Sequence, residues 1–226
     1  MNTPKHLVKS FDLEIDQLNK KICTLARACE NQLSQAISSL ESLNSELACE
    51  VIEKDKTINA FHREIEHTIV VTLAKRQPMA VDLRYLLSAI KISTELERIG
   101  DYAANIAKRV TRMSNDPFRD PVELILEMAT ICQEMLTHAI EAFLSLDIKK
   151  ASDVWDRDHD VDRKFARMMT QIRLEMQEKS EAIDNMTQLI FIGRCCERIG
   201  DHITNIAEDI IYIATGQNHI DSVEKC

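Results

Sequence analysis

The second half of this chain repeats the first. Residues 97–101, Glu-Arg-Ile-Gly-Asp, recur unchanged at 197–201, which is 100 positions later. Earlier in each copy the matching residues stand 103 positions apart, as Asp55 and Asp158 do. The change in offset indicates a short loop difference near residue 77. A repeat of this length exceeds the 20–50 residues of a solenoid unit, so it predicts a duplicated domain.

The composition favours helices in both copies. The chain has 4 glycines and 4 prolines among 226 residues, and 29% charged residues are mixed with 45% hydrophobic ones. Aromatic residues reach 4%, fewer than strand-rich folds use. We predict an all-α fold of two tandem repeated three-helix bundles, the first in 1–115 and the second in 116–226. The predicted helices span 8–43, 45–76, 79–114, 121–146, 148–179 and 181–215.

The predicted boundary between the copies carries helix-stop and helix-start signals. Half of the prolines fall in the segment 115–121. Asp120 can cap the fourth helix, with Pro121 at its first position and Glu123 completing a capping box. At the other end of the copy, Gly216 can terminate the last helix.

Apolar residues in the long helices recur every three or four positions, which is typical of helices packed side by side. The series in the third helix is Ala89, Ile92, Leu96, Ile99, Ala103, Ile106, Val110 and Met113, and that in the sixth is Leu189, Ile192, Cys196, Ile199, Ile203, Ile206, Ile210 and Ile213. Asp55 and Asp158 interrupt similar series in the second and fifth helices. A buried carboxylate is costly unless it is paired or bound to a metal. The alternatives are an exposed end of the series and a salt bridge to a nearby arginine.

The repeated pentapeptide places two acids one helical turn apart in each copy. Glu97 and Asp101, like Glu197 and Asp201, are four residues apart, so their charges repel unless a cation lies between them. The apolar series turns both pairs toward solvent, and a solvated acidic face is the simpler interpretation of one pair alone. Glycines at 100 and 200 cost helix stability, which indicates a close approach to the backbone or tight helix packing.

The candidate ligands are almost all oxygen donors. Asn59 and Asp162 follow Asp55 and Asp158 by four residues, and such oxygen sites suit magnesium, calcium, manganese or iron better than zinc. His159 and His202 adjoin the acids, and we expect both on the surface. A ferritin-like di-iron bundle would need Glu-x-x-His on two helices. That spacing occurs at 64–67, without an equivalent in the second copy.

The net charge of -9 makes nucleic acid a poor partner. Residues 1–10 lack the apolar core of a signal peptide, and the best apolar run, 69–74, is far too short to span a membrane. We therefore expect a cytoplasmic protein. The 7 cysteines include no Cys-x-x-Cys spacing, so we expect most of them to be small buried hydrophobes in a reducing compartment. No catalytic motif is apparent, and we expect that the chain is not an enzyme.

Three segments resemble the PhoU family of phosphate-uptake regulators. The string Leu-Ala-Lys-Arg-Gln-Pro-Met-Ala-Val-Asp-Leu-Arg at 73–84 is similar to that family's junction between helices two and three. The pentapeptides at 97–101 and 197–201 resemble its twin acidic motifs, and 55–59 resembles its helix-two signature. The resemblance covers nearly the whole chain, including its length and duplication.

The resemblance implies a regulatory function. PhoU proteins fold as two similar three-helix bundles, are commonly dimeric and are cytoplasmic. They are linked to the phosphate ABC transporter, here through its ATPase subunit, and to the phosphate-sensing histidine kinase, and they help keep the starvation response off when phosphate is plentiful. Such a protein reaches the membrane only through its partners. A metal-carboxylate enzyme and a ferritin-like metal-storage protein are the alternatives.

The resemblance also implies metal sites, because some members bind iron, zinc or other metals such as manganese or magnesium on the motif face. Carried over by position, the metal ligands are Asp55, Glu97 and Asp101 in the first copy and Asp158, Asp162, Glu197 and Asp201 in the second. Asn59 stands where the second copy has Asp162. The carboxylate count therefore predicts that the second site loads first.

Overall fold

The computed structural model describes residues 9–113, 119–178 and 183–217. These residues form six helices: α1 Lys9–Glu41, α2 Ser45–Arg76, α3 Val81–Val110, α4 Arg119–Ser145, α5 Ile148–Glu178 and α6 Ile183–Thr215. The all-α prediction is confirmed. The predicted boundary between residues 115 and 116 lies outside the described residues.

The junction between α2 and α3 departs slightly from the predicted limits. Gln77 adopts a left-handed conformation with φ 46°, and its N–H bonds the carbonyl of Leu73, which ends α2 before Pro78. Ala80 also has a positive φ, of 45°, so α3 begins at residue 81 rather than at 79. Two residues with positive φ, one on each side of Pro78, thus separate α2 sharply from α3.

At the ends of the second repeat, the predicted N-cap of α4 is wrong and the predicted end of α6 is confirmed. Because α4 begins at Arg119, Asp120 and Pro121 lie inside its first turn rather than at its cap. Proline is tolerated there since N–H groups of the first turn have no acceptor within the helix. Gly216 ends α6 as predicted, with φ 76° and its N–H 2.8 Å from the carbonyl oxygen of Tyr212.

The helices of each repeat pack on one another, and α3 against α6 and α1 against α4 join the two repeats. Every predicted apolar position of α3 and α6 is buried, apart from Met113, which lies beyond the end of α3 and is partly buried. The buried side chains of all six helices form one continuous core. The duplicated helices α3 and α6 therefore lie at the centre and carry the acidic motifs. None of the described helices has the length and apolarity needed to cross a membrane.

Candidate functional site

The first candidate site lies between α2 and α3 and is called here the repeat-one groove, formed by Asp55, Asn59, Glu97 and Asp101. Nδ2 of Asn59 donates a hydrogen bond of 3.1 Å to Oδ2 of Asp55. Oδ1 of Asp55 is buried and has no hydrogen-bond partner within the described chain. Asp55, the acid that interrupts the apolar series of α2, thus has one oxygen with a hydrogen bond and one without. The second oxygen is available to a cation or a proton.

The three carboxylates of this groove influence one another. Burial raises the pKa of Glu97, and the negative charges of Asp101 and Asp55 raise it further. Burial also raises the pKa of Asp101, again with a contribution from Asp55. These mutual effects place side chains from α2 and α3 in one electrostatic cluster, as the sequence predicts. A cation bound among them would relieve the repulsion.

The repeat-two groove lies between α5 and α6 and is formed by Asp158, Asp162, Glu197 and Asp201. Oδ1 of Asp158 is buried and without a hydrogen-bond partner in the part of the chain described. Burial raises the pKa of Asp158 to about 6, with further increases from the charges of Asp162 and Asp201. Burial raises the pKa of Glu197, and the negative charge of Asp201 raises it further. The second set of predicted ligands is therefore also brought together.

The paired glycines have the close neighbours that the sequence suggests, although the neighbours differ. A Cβ on Gly200 would collide with Oδ1 of Asp158, so the glycine makes room for that carboxylate. A Cβ on Gly100 would lie 2.9 Å from Cδ1 of Ile58 and 3.1 Å from Oε1 of Gln32. In the second repeat the glycine thus admits a candidate ligand, whereas in the first it permits close helix packing.

The exposure of the acidic pairs differs from the prediction. The Glu197 side chain is only 15% exposed, although the apolar series places it toward solvent. Asp201, one turn further along α6, is 39% exposed. The neighbouring helix α5 covers one flank of the pair on α6, and α2 does the same for the pair on α3, so these acids line the edges of grooves and not a free surface.

Two arginines in the repeat-two groove were missed by the sequence-based comparison, which counted only acids. Nη1 of Arg194 donates to Oε1 of Glu197 at 2.5 Å, and Nη1 of Arg198 donates to Oδ2 of Asp201 at 2.9 Å. Both arginines lie three residues before the acid that they bind, a spacing at which helical side chains meet. This spacing was the sequence signal for the two ion pairs. The first copy lacks one of them, because position 94, the equivalent of Arg194, holds threonine.

Of the two histidines placed on the surface by the sequence, one is exposed and the other is not. His159 is exposed, as predicted, and its ring meets Trp155 edge-on. The surface prediction for His202 is wrong: its side chain is 18% exposed and its Nδ1 lies 2.6 Å from Oε2 of Glu95 on α3. His62, which the site prediction omits, is 15% exposed and lies near Glu97, where it opposes the effect of burial on the pKa of that acid. His62 interrupts the same apolar series as Asp55, which was the signal for it.

The PhoU domain family model matches this chain twice, over residues 22–110 and 125–210. The chain belongs to the PhoU family. The two matches contain the repeat-one and repeat-two grooves respectively, so both candidate sites lie within PhoU domains.

Relatives of the chain carry names from phosphate transport. A protein of Zymomonas mobilis, named phosphate-specific transport system accessory protein PhoU homolog, is 38% identical over 212 residues, which cover 94% of this chain and 90% of the relative. The phosphate-specific transport system accessory protein PhoU of Serratia marcescens is 32% identical over 218 residues, covering 96% and 90%. Similarity therefore extends over nearly the full length of each protein.

Solved PhoU structures have the same fold. The crystal structure of PhoU from Pseudomonas aeruginosa superposes with a TM-score of 0.87 at 33% identity, covering 92% of this chain and 100% of that one. The phosphate transport system regulatory protein PhoU from Streptococcus pneumoniae gives 0.87 at 31% identity, covering 92% and 98%. These likenesses support the predicted pair of three-helix repeats.

The metal-binding chemistry that the PhoU resemblance implies can be compared with the donors present. Across residues 9–113, 119–178 and 183–217, no three His, Cys, Asp or Glu side chains are arranged to hold one metal ion. The unpartnered oxygens of Asp55 and Asp158, and Oε2 of Glu197, are nevertheless hard donors suited to cations. The chemistry of these oxygens thus suits a cation, whereas the arrangement of the side chains in the described ranges does not form a metal site.

The Glu-x-x-His segment of α2 does not build a ferritin-like interior in this PhoU-family chain. Ile65 is buried in the core, and the adjacent Glu64 forms an ion pair with Lys21, with Oε1 2.9 Å from Nζ. His67 is exposed. Since di-iron bundles direct their Glu and His ligands inward, this segment lacks the required orientation.

Proposed function

We propose that this protein regulates phosphate uptake and phosphate-starvation signalling. It acts as an adaptor between the ATPase subunit of the phosphate ABC transporter and the phosphate-sensing histidine kinase, and it keeps the starvation response off when phosphate is plentiful. The observation that carries the proposal is the full-length similarity to phosphate-specific transport system accessory proteins, at 38% identity over 94% of the chain in one case. The proposed role is regulatory and not enzymatic.

The adaptor acts from the cytoplasm as a homodimer and reaches the membrane only through its partners. Its long helices offer two similar faces to partners, because the duplicated sequence gives each repeat a groove at the equivalent position. The contact between α3 and α6 fixes these grooves relative to each other, with Oε2 of Glu95 accepting from Nδ2 of Asn205 at 3.1 Å. A partner bound to one repeat is thereby held in a fixed position relative to the other repeat.

Metal ions, whether iron, zinc, manganese or magnesium, are proposed to contribute to these faces. A bound cation would supply positive charge that neutralises the clustered carboxylates. Asp55, Glu97 and Asp101 are the candidates to hold it in the repeat-one groove, and the corresponding acids in repeat two are Asp158, Asp162, Glu197 and Asp201. The chain itself contributes the buried, unpartnered oxygens of Asp55 and Asp158 that favour such binding.

Deletion of the gene tests the regulatory proposal. A reporter driven by a phosphate-starvation promoter should stay on in high phosphate in the deletion strain, and the wild-type gene should restore repression. Normal repression without the gene would contradict the proposal.

Cross-linking tests the adaptor role separately. In phosphate-replete cells, complexes of the tagged protein should contain the transporter ATPase or the histidine kinase. The tagged protein must first be shown to restore repression in the deletion strain. Cross-linked complexes that contain neither partner would contradict adaptor function even if the deletion phenotype is as expected.

A further inference from the structure

Between α4 and α5 lies a concave surface that is separate from both acidic grooves. It has a volume of about 440 Å³ and is called here the basic groove. Its lining residues are Ile131, Arg157, Asp160, Arg163, Lys164 and Arg167. Four of these six residues are cations, although the net charge of the chain is -9. A concave surface with such a concentration of positive charge attracts anions.

The cations of the basic groove lie on one side of α5. Arg163 and Arg167 are four residues apart, and Arg157 stands ten residues before Arg167, which is about 15 Å along a helix. This side of α5 meets α4, from which Ile131, only 8% exposed, contributes the apolar part of the lining. Long side chains on one helix thus present several positive charges in a row.

Two ion pairs connect this side of α5 to α4. Nη2 of Arg157 lies 2.6 Å from Oε2 of Glu134, and the ammonium group of Lys164 pairs with the carboxylate of Glu127. Each pair joins adjacent helices, so part of the positive charge has a structural role. An anion must therefore be bound mainly by the two remaining cations of the groove.

These two cations, Arg163 and Arg167, are incompletely neutralised. Asp160 is shared, because it pairs with Arg163 while its Oδ2 also lies 3.5 Å from Nη1 of Arg157. Arg167 is exposed and forms no ion pair with any side chain that the structure describes. A guanidinium group has five N–H donors, so Arg163 keeps free donors beside its pair with Asp160. Both arginines are thus available to an anion.

The first repeat shows that the fold does not require these cations. The residues 103 positions before the last three cations of the basic groove are Ala60, Phe61 and Glu64. The cavity between α1 and α2 in that repeat is smaller, about 180 Å³, and Oε1 of Glu64 there lies 2.9 Å from Nζ of Lys21. Equivalent helices therefore pack without a basic groove, which indicates that the cations serve a function particular to the second repeat.

We propose that the basic groove binds an anion made of linked phosphate groups, such as inorganic tripolyphosphate. Guanidinium groups match the geometry of phosphate oxygens and bind them through paired hydrogen bonds. A single phosphate would reach only neighbouring cations of the row, whereas a chain of phosphates contacts Arg163, Arg167 and Arg157 in succession. This anion site is independent of the proposed adaptor role and of metal binding.

The lining distinguishes a free phosphate chain from two other anions. A nucleotide base is commonly stacked on an aromatic ring, and the six lining residues include none. An acidic segment of a partner protein would be anchored by apolar or aromatic side chains in pockets, and Ile131 is the single apolar residue of the lining. Recognition in this groove therefore rests on charge, which favours an inorganic anion.

Isothermal titration calorimetry of the purified full-length protein in metal-free buffer tests the proposal with tripolyphosphate, orthophosphate and ATP. Tripolyphosphate should bind, and orthophosphate should bind at least about tenfold more weakly, because it makes fewer hydrogen bonds to charged groups and each contributes that much. ATP carries the same number of linked phosphates and should bind no more tightly than tripolyphosphate. Absence of tripolyphosphate binding, equal affinity for orthophosphate, or tighter binding of ATP would overturn the proposal.

Two exposed arginines of α5 provide matched variants. Arg167→Gln should weaken tripolyphosphate binding at least about tenfold, whereas Arg173→Gln, which removes the same charge outside the lining, should leave the affinity nearly unchanged. Arg163→Gln should act like Arg167→Gln. Equal weakening by Arg173→Gln would show a general effect of charge and would overturn the assignment. Tighter binding of a peptide of consecutive glutamates than of tripolyphosphate would overturn it in favour of an acidic protein partner.

Discussion

Lys91 on α3 forms an ion pair with Asp209 on α6, with Nζ 3.4 Å from Oδ1. The positions related to these by the repeat hold Phe191 and Arg109, and there the guanidinium carbon lies 4.2 Å from the ring centroid. The two repeats thus meet through equivalent contacts of different chemistry, an ion pair on one side and a cation–π contact on the other. Of these two contacts, only the ion pair contains a carboxyl that titrates in mildly acidic solution.

The first prediction concerns Asp209→Asn. Burial raises the pKa of Asp209 to about 6, despite the opposing effect of Lys91. The folded state therefore binds more protons than the unfolded state between about pH 4 and pH 6, so this group lowers stability as pH rises through that window. The asparagine variant should be more stable than the wild type at pH 7, by up to about 2 kcal/mol, and the difference should vanish near pH 4.

Urea denaturation of both proteins from pH 4 to pH 7.5 measures this difference, in which the titration of all other groups cancels. The variant Asp153→Asn, at an exposed position of α5, provides a control for the loss of one negative charge. A stability difference that favours the wild type and grows with pH would show that the ion pair outweighs burial.

The second prediction concerns Gly200→Ala. The added Cβ takes the space of Oδ1 of Asp158, so the carboxyl must turn toward solvent. Its pKa should then fall from about 6 toward the usual value of an aspartate, because burial is the main cause of the increase. Titration of the side-chain carboxyl carbon by NMR measures this. Gly100→Ala should leave the pKa of Asp158 unchanged, and an unaltered pKa in Gly200→Ala would contradict the proposed contact.

The third prediction concerns Arg84 of α3, which stabilises the end of α6. Its Nε donates to the carbonyl oxygen of Ile213 at 3.2 Å, and its guanidinium carbon lies 5.8 Å from the ring centroid of Tyr212. Arg84→Met should lower the free energy of unfolding by about 1 kcal/mol, since a cation at a helix C-terminus and its hydrogen bond are lost. The exposed Arg63→Met should have little effect.

Hydrogen exchange locates the effect of the Arg84 substitution. Amides in the last turns of α6 should exchange faster in Arg84→Met, while those in the middle of α6 should remain protected. If amide exchange became uniformly faster over the whole chain, or did not change at the end of α6, Arg84 would not be the residue that stabilises the C-terminus of that helix.

The fourth prediction concerns thiol reactivity. Burial raises the pKa of the Cys29, Cys132 and Cys196 thiols, and raises that of Cys195 to about 11. Cys49 is exposed. In a protein with Cys23→Ser and Cys226→Ser, which retains Cys49 and the four buried thiols, a thiol reagent at pH 8 should modify Cys49 within minutes and the buried thiols only after unfolding. Mass spectrometry of the modified peptides identifies the order, and Cys49→Ser should remove the fast phase.

The helices and their inward faces could be predicted from the sequence. Ile99 and Ile199 are buried because apolar spacing specifies which side of a helix meets its neighbours, and that spacing is local. The same reasoning placed Asp55 and Asp158 among buried residues, and the buried, unpartnered Oδ1 atom of each agrees with it. Helix ends were less accurate, as Ala80 shows, because a positive φ in a non-glycine residue has no clear sequence signal.

The sequence by itself therefore determined the duplication, the helical class, the core faces and the acids that share a groove. Only the tertiary structure decided which charges meet, since this depends on how each helix is rotated and shifted against its neighbours. Glu95 and His202, 107 positions apart, bond because α3 and α6 cross at that level. By contrast, Arg194 meets Glu197 within α6 and its equivalent Thr94 bonds a carbonyl of α3, so this difference in charge between the two grooves follows from the sequence, because both contacts are local.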